Sequence, residues 1–142
     1  MAKVAIVGAT GKVGQYAALS ISRIPYVNEI QLYGRPGSDG VLEGIARDLI
    51  DSFAATGTDT RVSWSCSIED LQGSDIIIFT AGSPRQAHQT RNDLALGNAH
   101  IVKDFAEKIN AIAPESLLLM ITNPVDIMTH VALKYSGKKP NE

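Results

Sequence analysis

One cysteine, Cys66, is too few for an internal disulfide. A chain built this way is expected in a reducing, cytoplasmic setting. There is no apolar run long enough to span a membrane. Nor is a secretory leader expected, since Lys3 is followed at once by a strand pattern and a glycine turn. The formal net charge of −2 leaves no electrostatic footprint for nucleic acid. Lys138 and Lys139 read as a solvated tail. His88, His100 and His130 have no ligand-like spacing, so no metal site is expected. Internal repeats and low-complexity linkers are missing. The ATP-type phosphate loop is excluded as well: Gly11-Lys12 is followed by Val13 where Ser or Thr is needed, and Ile6 stands where its first glycine belongs. What remains is 142 residues, 44% hydrophobic and 20% charged. That is enough for one domain, residues 1–142, burying roughly two-thirds of its unfolded surface.

The first fourteen residues organise the rest. Val4 to Val7 is a short apolar run suited to a strand buried on both faces. The turn Gly8-Ala9-Thr10-Gly11-Lys12-Val13-Gly14 follows, and then a helix. Gly8 permits the sharp turn, Gly11 lets backbone approach a pyrophosphate, and Gly14 lets the helix pack closely. The helix N-terminus turns its free N–H groups toward phosphates. The spacing is G-x-x-G-x-x-G, looser than the strict dinucleotide fingerprint, and its place between strand and helix gives it meaning.

Along the chain, a helix is predicted from Gly11 to Ser22, with Val13, Ala17, Ile21 and then Ile24 facing the core and Pro25 ending it. Glu29–Tyr33 reads as a second strand and 34–38 as a turn. A helix over 41–56 buries Leu42, Ile45, Leu49 and Phe53, with Glu43, Arg47 and Asp51 as a solvated ladder of ion pairs. Arg61–Trp64 is a third strand near an edge, and Asp75–Phe79 a central one. A loop over 80–89 leads to a helix from Thr90 to Ile112, a strand over Leu117–Ile121, and a last helix to about Tyr135. Strands alternating with helices predict an α/β fold, a doubly wound parallel sheet of Rossmann type with order 3-2-1-4-5. The sixth strand of that fold would start just after residue 142. Leu117–Ile121 is then an unpaired apolar edge.

A strand-two acid about twenty residues past the glycine turn normally receives the ribose hydroxyls of NAD. Position 34 is glycine and Arg35 follows. Arg35 can pair with a 2′-phosphate in a bidentate way and Ser38 can add a hydroxyl, so NADP is favoured, with NAD possible. In the loop after the fourth strand, Arg85 and Arg91 can clamp an anionic substrate over the ligand crevice. Asn98 lies on the apolar stripe of its helix, between Leu94 and Ile101, where a polar group needs a partner, either backbone or cofactor.

With the turn Thr122-Asn123-Pro124-Val125-Asp126 in place, the chain resembles the lactate/malate dehydrogenase superfamily, and within it the malate dehydrogenases of archaeal type. The resemblance runs from the glycine turn through A-G-x-P-R and T-R-x-D-L to T-N-P-V-D. It implies hydride transfer between NAD(P) and malate or oxaloacetate, in the tricarboxylic acid cycle, by a homo-oligomeric enzyme. By position, Gly8 to Gly14 would hold the pyrophosphate, Arg35 and Ser38 the NADP phosphate, and Asn98 another part of the cofactor. Arg85 matches the arginine that reads the distal carboxylate of a dicarboxylate. Arg91 matches the arginine that polarises the reacting carbonyl, and Asn123 the asparagine on the substrate oxygen. Backbone of Ile121, Thr122 and Asn123 would line the nicotinamide, and the Asn123–Pro124 bond is typically cis in the family. His88 departs from the family, which usually has glycine there. The family's proton-transferring histidine, its aspartate and a third arginine fall downstream of T-N-P-V-D. Residues 1–142 alone are therefore expected to bind NADPH with little malate oxidation. Two alternatives stand beside it: a free-standing NADP-binding module, which length favours and the motifs do not exclude, and, more distantly, an atypical short-chain dehydrogenase, a class with a Tyr-x-x-x-Lys pair and no place for the arginine loop.

Overall fold

In the computed structural model, which describes residues 1–84 and 86–140, with only the backbone of Arg91 and Asn92, the first strand is the middle of the sheet. It is β1 (Ala2–Val7), and α1 (Lys12–Ile21) leads from it to β2 (Val27–Tyr33). Then come α2 (Asp39–Thr56), β3 (Arg61–Ser65) and a single 3-10 turn over Ile68–Leu71. β4 (Ile76–Phe79), α3 (Arg91–Ile112), β5 (Leu117–Met120) and α4 (Val125–Ser136) complete it. Every pairing is parallel, in the order β3-β2-β1-β4-β5. This is the predicted doubly wound sheet, although β1 holds the centre and β4 stands one place from the β5 edge.

Alternation along β1 sends its side chains to two cores. Val4 and Ile6 pack with Ala18 of α1 and with Leu42, Ala46, Leu49 and Phe53 of α2. Ala5 and Val7 pack with Val102, Phe105 and Ile109 of α3 and Met128 of α4. A strand covered on both faces needs apolar residues at every position, which is why Val4 to Val7 shows no polar alternation. β5 is covered less well: Leu117 and Leu119 remain exposed on a strand paired only with β4.

Three expectations need correction. Val13 does not enter the core and is 56% exposed. The buried positions of α1 are Gly14 and Ala18, because the glycine turn presses the helix against its own backbone at position 14. Ile24 is likewise exposed. Lys138 is no solvated tail residue, being only 7% exposed. Its Nζ donates to the carbonyls of Ala113 (3.3 Å), Pro114 (2.8 Å) and Ser116 (2.7 Å). Ala113 is the C-cap of α3 and the other two lie in the connection to β5, where no helix supplies donors; an ammonium satisfies several such carbonyls at once. The charged ladder on α2 extends only to Glu43–Arg47, at 2.6 Å; Asp51 joins no ion pair among the described residues.

The chain does contain one Tyr-x-x-x-Lys spacing, at Tyr135 and Lys139. It cannot act as a helical pair, since α4 ends at Ser136 and Gly137 turns the chain with φ +70°. The neighbouring Lys138 is bonded just ahead of β5, which puts this segment at the amino end of an edge strand, away from the glycine turn at the carboxyl end of the central one.

Candidate functional site

A groove of about 600 Å³ opens at the carboxyl ends of β1, β2 and β4, with Gly8 and Gly11 on one side and Thr80 to Ser83 on the other. It lies where the winding reverses, since β2 and β4 leave β1 on opposite sides. That is where doubly wound sheets take ligands.

The glycine turn fits the predicted roles at two positions. Gly8 has φ +85°, and a Cβ there would sit 2.6 Å from the backbone nitrogen of Ala81. A Cβ on Gly14 would sit 2.7 Å from the Gly8 carbonyl oxygen. Thr80 ties the same corner from β4, its Oγ1 donating to the Val7 carbonyl at 2.9 Å. Gly11 is the N-cap of α1; no side chain caps that helix and no acid occupies its first turn. Lys12 and Val13 stand exposed beside it, Ala9 is buried, and Thr10 lines the groove. The helix end therefore keeps its N–H groups and positive end for an anion.

The β2–α2 connection forms a second corner. Arg35-Pro36-Gly37-Ser38 is a tight turn closed by the Ser38 N–H donating to the Arg35 carbonyl at 3.1 Å. Proline at the second place and glycine with φ +85° at the third are the residues a type II turn demands. Arg35 is exposed and lines the groove. Ser38 Oγ is turned inward and donates to the Arg35 carbonyl at 2.6 Å. No carboxylate stands at position 34, and a Cβ there would collide with that same hydroxyl.

The loop after β4 and the turn after β5 are joined through Asn98. This side chain, 2% exposed, accepts from the Ser83 N–H at 2.9 Å and donates to the Asn123 carbonyl at 2.8 Å. Its buried amide is thus met by backbone on both sides. Thr122 Oγ1 donates to the Ala81 carbonyl at 2.8 Å. Ile121 and Asn123 are exposed, and the Asn123–Pro124 bond is cis. Arg85 lies outside the described residues. Arg91 opens α3, and its side chain is likewise outside the description. Ala87 and His88 sit in a turn closed by Gln89 N–H to Gln86 carbonyl at 3.0 Å, with no positive φ to require glycine.

The first turn of α3 is held by a capping box between Thr90 and Asp93. The Thr90 hydroxyl, and then its N–H, hold the Asp93 carboxyl below its ordinary range. A depressed folded value adds stability above the unfolded carboxylate range, lost as pH falls through the folded value. Asp93→Ala is therefore expected to lower the melting temperature at pH 7, with the gap to wild type closing below about pH 4. Thermal melts across pH check it; a gap that persists undiminished in acid contradicts it.

Sequence reasoning missed part of the groove wall. Tyr33, Ile68 and Lys108 line it, and so does Ile101, assigned above to the apolar stripe of its helix. That stripe divides: Phe105 and Ile109 are buried, while Ile101, 37% exposed, faces the groove. The available signal was a large aliphatic residue one turn from the buried Asn98. Ile68 belongs to a 3-10 turn too short to show a period. Burial raises the Tyr33 hydroxyl above its ordinary range, helped by Cys66 and Glu69 nearby. Among the described residues no cluster of metal-ligating side chains occurs. No described helix is long and apolar enough to cross a membrane.

Comparison with known proteins agrees with this geometry. The profile of the family described as lactate/malate dehydrogenase, NAD binding domain, matches residues 2–142. A malate dehydrogenase from Methanothermobacter thermautotrophicus is 43% identical over 139 residues, covering 98% of this chain and 43% of that protein. An L-2-hydroxycarboxylate dehydrogenase (NAD(P)(+)) from Methanocaldococcus jannaschii is 38% identical, covering 99% of this chain and 45% of that one. The solved malate dehydrogenase from Archaeoglobus fulgidus in complex with NADH superposes with a TM-score of 0.90 at 40% identity, covering 98% of this chain and 46% of that one. The chain thus spans a little under half the length of the relatives it matches.

Proposed function

The chain belongs to the lactate/malate dehydrogenase family, matching its NAD-binding domain, and on that premise we propose that it holds NADP(H) for the interconversion of malate and oxaloacetate. When bound, the nicotinamide supplies the hydride acceptor or donor. The residues present suit such a group, because Gly8 and Gly14 close onto the chain's own backbone and leave Gly11 and the uncapped start of α1 open to the groove. The α1 N-terminus would take the pyrophosphate, its N–H groups uncapped by any side chain. Ile68 and Ile101 offer apolar walls for the adenine. Ile121, Thr122 and Asn123 would border the nicotinamide, with Asn98 fixing Asn123 through its carbonyl. In this reading Arg85 reads the distal carboxylate, Arg91 polarises the carbonyl and Asn123 bonds the substrate oxygen.

One observation carries the choice of NADP: the turn at the groove mouth presents Arg35 beside glycine where an acid would serve NAD. The relative named for NAD(P) use is in keeping with it. A guanidinium on a phosphate contributes about 1.5–3 kcal/mol net. Arg35→Ala is thus expected to weaken NADPH binding roughly 10- to 100-fold and to leave NADH within about 2-fold. Fluorescence titration with each dinucleotide decides it; equal losses for both would overturn the NADP reading.

A further inference from the structure

We infer that Cys66 is a positioning residue for the 2′-phosphate: it keeps the Arg35 carbonyl bonded when the Ser38 hydroxyl turns outward to the phosphate. The inference rests on the NADP reading above. Three donors converge on that one carbonyl oxygen: the Ser38 N–H at 3.1 Å, the Ser38 hydroxyl at 2.6 Å and the Cys66 thiol at 3.1 Å. The thiol also lies 3.5 Å from Ser38 Oγ. A carbonyl has two lone pairs, so one of three donors is in excess. Ser38 is the N-cap of α2, yet its side chain caps nothing there. In this rotamer its single proton is spent on Arg35, and a phosphate oxygen, which only accepts, gains nothing from it.

Outward rotation would put the hydroxyl proton beside Arg35 and the uncapped first turn of α2, where a 2′-phosphate would sit with Arg35 offsetting the one carboxylate of that turn, Asp39. Without Cys66 that rotation leaves the Arg35 carbonyl one hydrogen bond poorer at the moment of binding. With Cys66 the carbonyl keeps two donors, the Ser38 N–H and the thiol, and the turn keeps its shape. NAD has no 2′-phosphate and asks for no rotation. The effect of Cys66 is therefore confined to the phosphorylated cofactor.

The test is dinucleotide titration of the chain and its variants, with melting curves to verify folding. Cys66→Ala is expected to weaken NADPH about 3- to 10-fold and NADH by less than about 2-fold. Cys66→Ser, which keeps a donor, should restore NADPH. In a Ser38→Ala background Cys66→Ala should be silent, because no hydroxyl remains to be released. Equal weakening of both dinucleotides, or additive losses in the double variant, would overturn the inference. Arg35→Ala separates the two levels. If it leaves the NADPH-to-NADH ratio unchanged, the NADP reading falls and the Cys66 role with it. If it collapses the ratio while Cys66→Ala does not shift it, only the Cys66 role falls.

Discussion

Gly34→Asp should invert the cofactor preference, weakening NADPH roughly 100-fold and tightening NADH several-fold. A carboxylate at the end of β2 stands where ribose hydroxyls can donate to it and where a 2′-phosphate is repelled. At about 5 Å and an effective dielectric near 20, one pair of like charges costs roughly 3 kcal/mol before screening. The aspartate needs room, because a Cβ at 34 meets the Ser38 hydroxyl and then Leu42 Cδ1 at 3.1 Å. Adding Ser38→Ala removes the first collision, and Ser38→Ala alone is its reference, because that hydroxyl is itself assigned to the phosphate. Competition titration reads the result. A preference for NADPH that survives in both variants would show that the turn after β2 does not select the cofactor.

Methyl groups on the glycine turn should be costly in a different way. Gly8→Ala combines a left-handed φ of +85° with a contact of 2.6 Å to the Ala81 nitrogen. Gly14→Ala drives its Cβ to 2.7 Å from the Gly8 carbonyl oxygen. In both cases the opposing atom is backbone, which has no rotamer to escape into. Backbone strain and overpacking together suggest about 2–5 kcal/mol for Gly8→Ala. That corresponds to a melting temperature lower by roughly 10 °C. Gly14→Ala should cost somewhat less, since its φ is ordinary. Both should weaken NADH and NADPH alike, which distinguishes them from Arg35→Ala and Gly34→Asp. Gly11→Ala is the contrast: its Cβ would lie 3.4 Å from the Gly8 carbonyl oxygen, an ordinary contact, so stability should hold while dinucleotide binding falls. Calorimetric melts with parallel titrations check all three; an unchanged melting temperature for Gly8→Ala would refute the strain argument.

How far the sequence carried the fold depended on the length of each signal. Val4 to Val7 and Ile76 to Phe79 are strong because a strand covered on both faces constrains every position, and α3 is strong because its apolar period is long. The order of the sheet followed from the alternation of strands with helices. On α1 the glycine spacing marks the close-packed side at Gly14, whereas Val13, its larger neighbour, looks like a core residue by side-chain size alone and is exposed. Lys138 was misread because its three acceptors are main-chain carbonyls from a different element. Within the site, Gly8, Gly14 and Arg35 were legible, since a turn or a charge carries its own chemistry. Ile68, Ile101 and the inward rotamer of Ser38 were not, because they depend on what α3, β3 and the β2–α2 turn bring alongside. Asn98 was legible as a buried polar residue in need of partners, but not as the link between Ser83 and Asn123.

In the proposed reading the corner at Gly34 and Arg35 receives the 2′-phosphate. The most direct measurement is a side-by-side titration of the chain with NADPH and NADH at one ionic strength, repeated at higher salt. NADPH should bind at least about 10-fold tighter, and salt should narrow the gap. Equal affinities, or a gap indifferent to salt, would rule out a phosphate site at this corner.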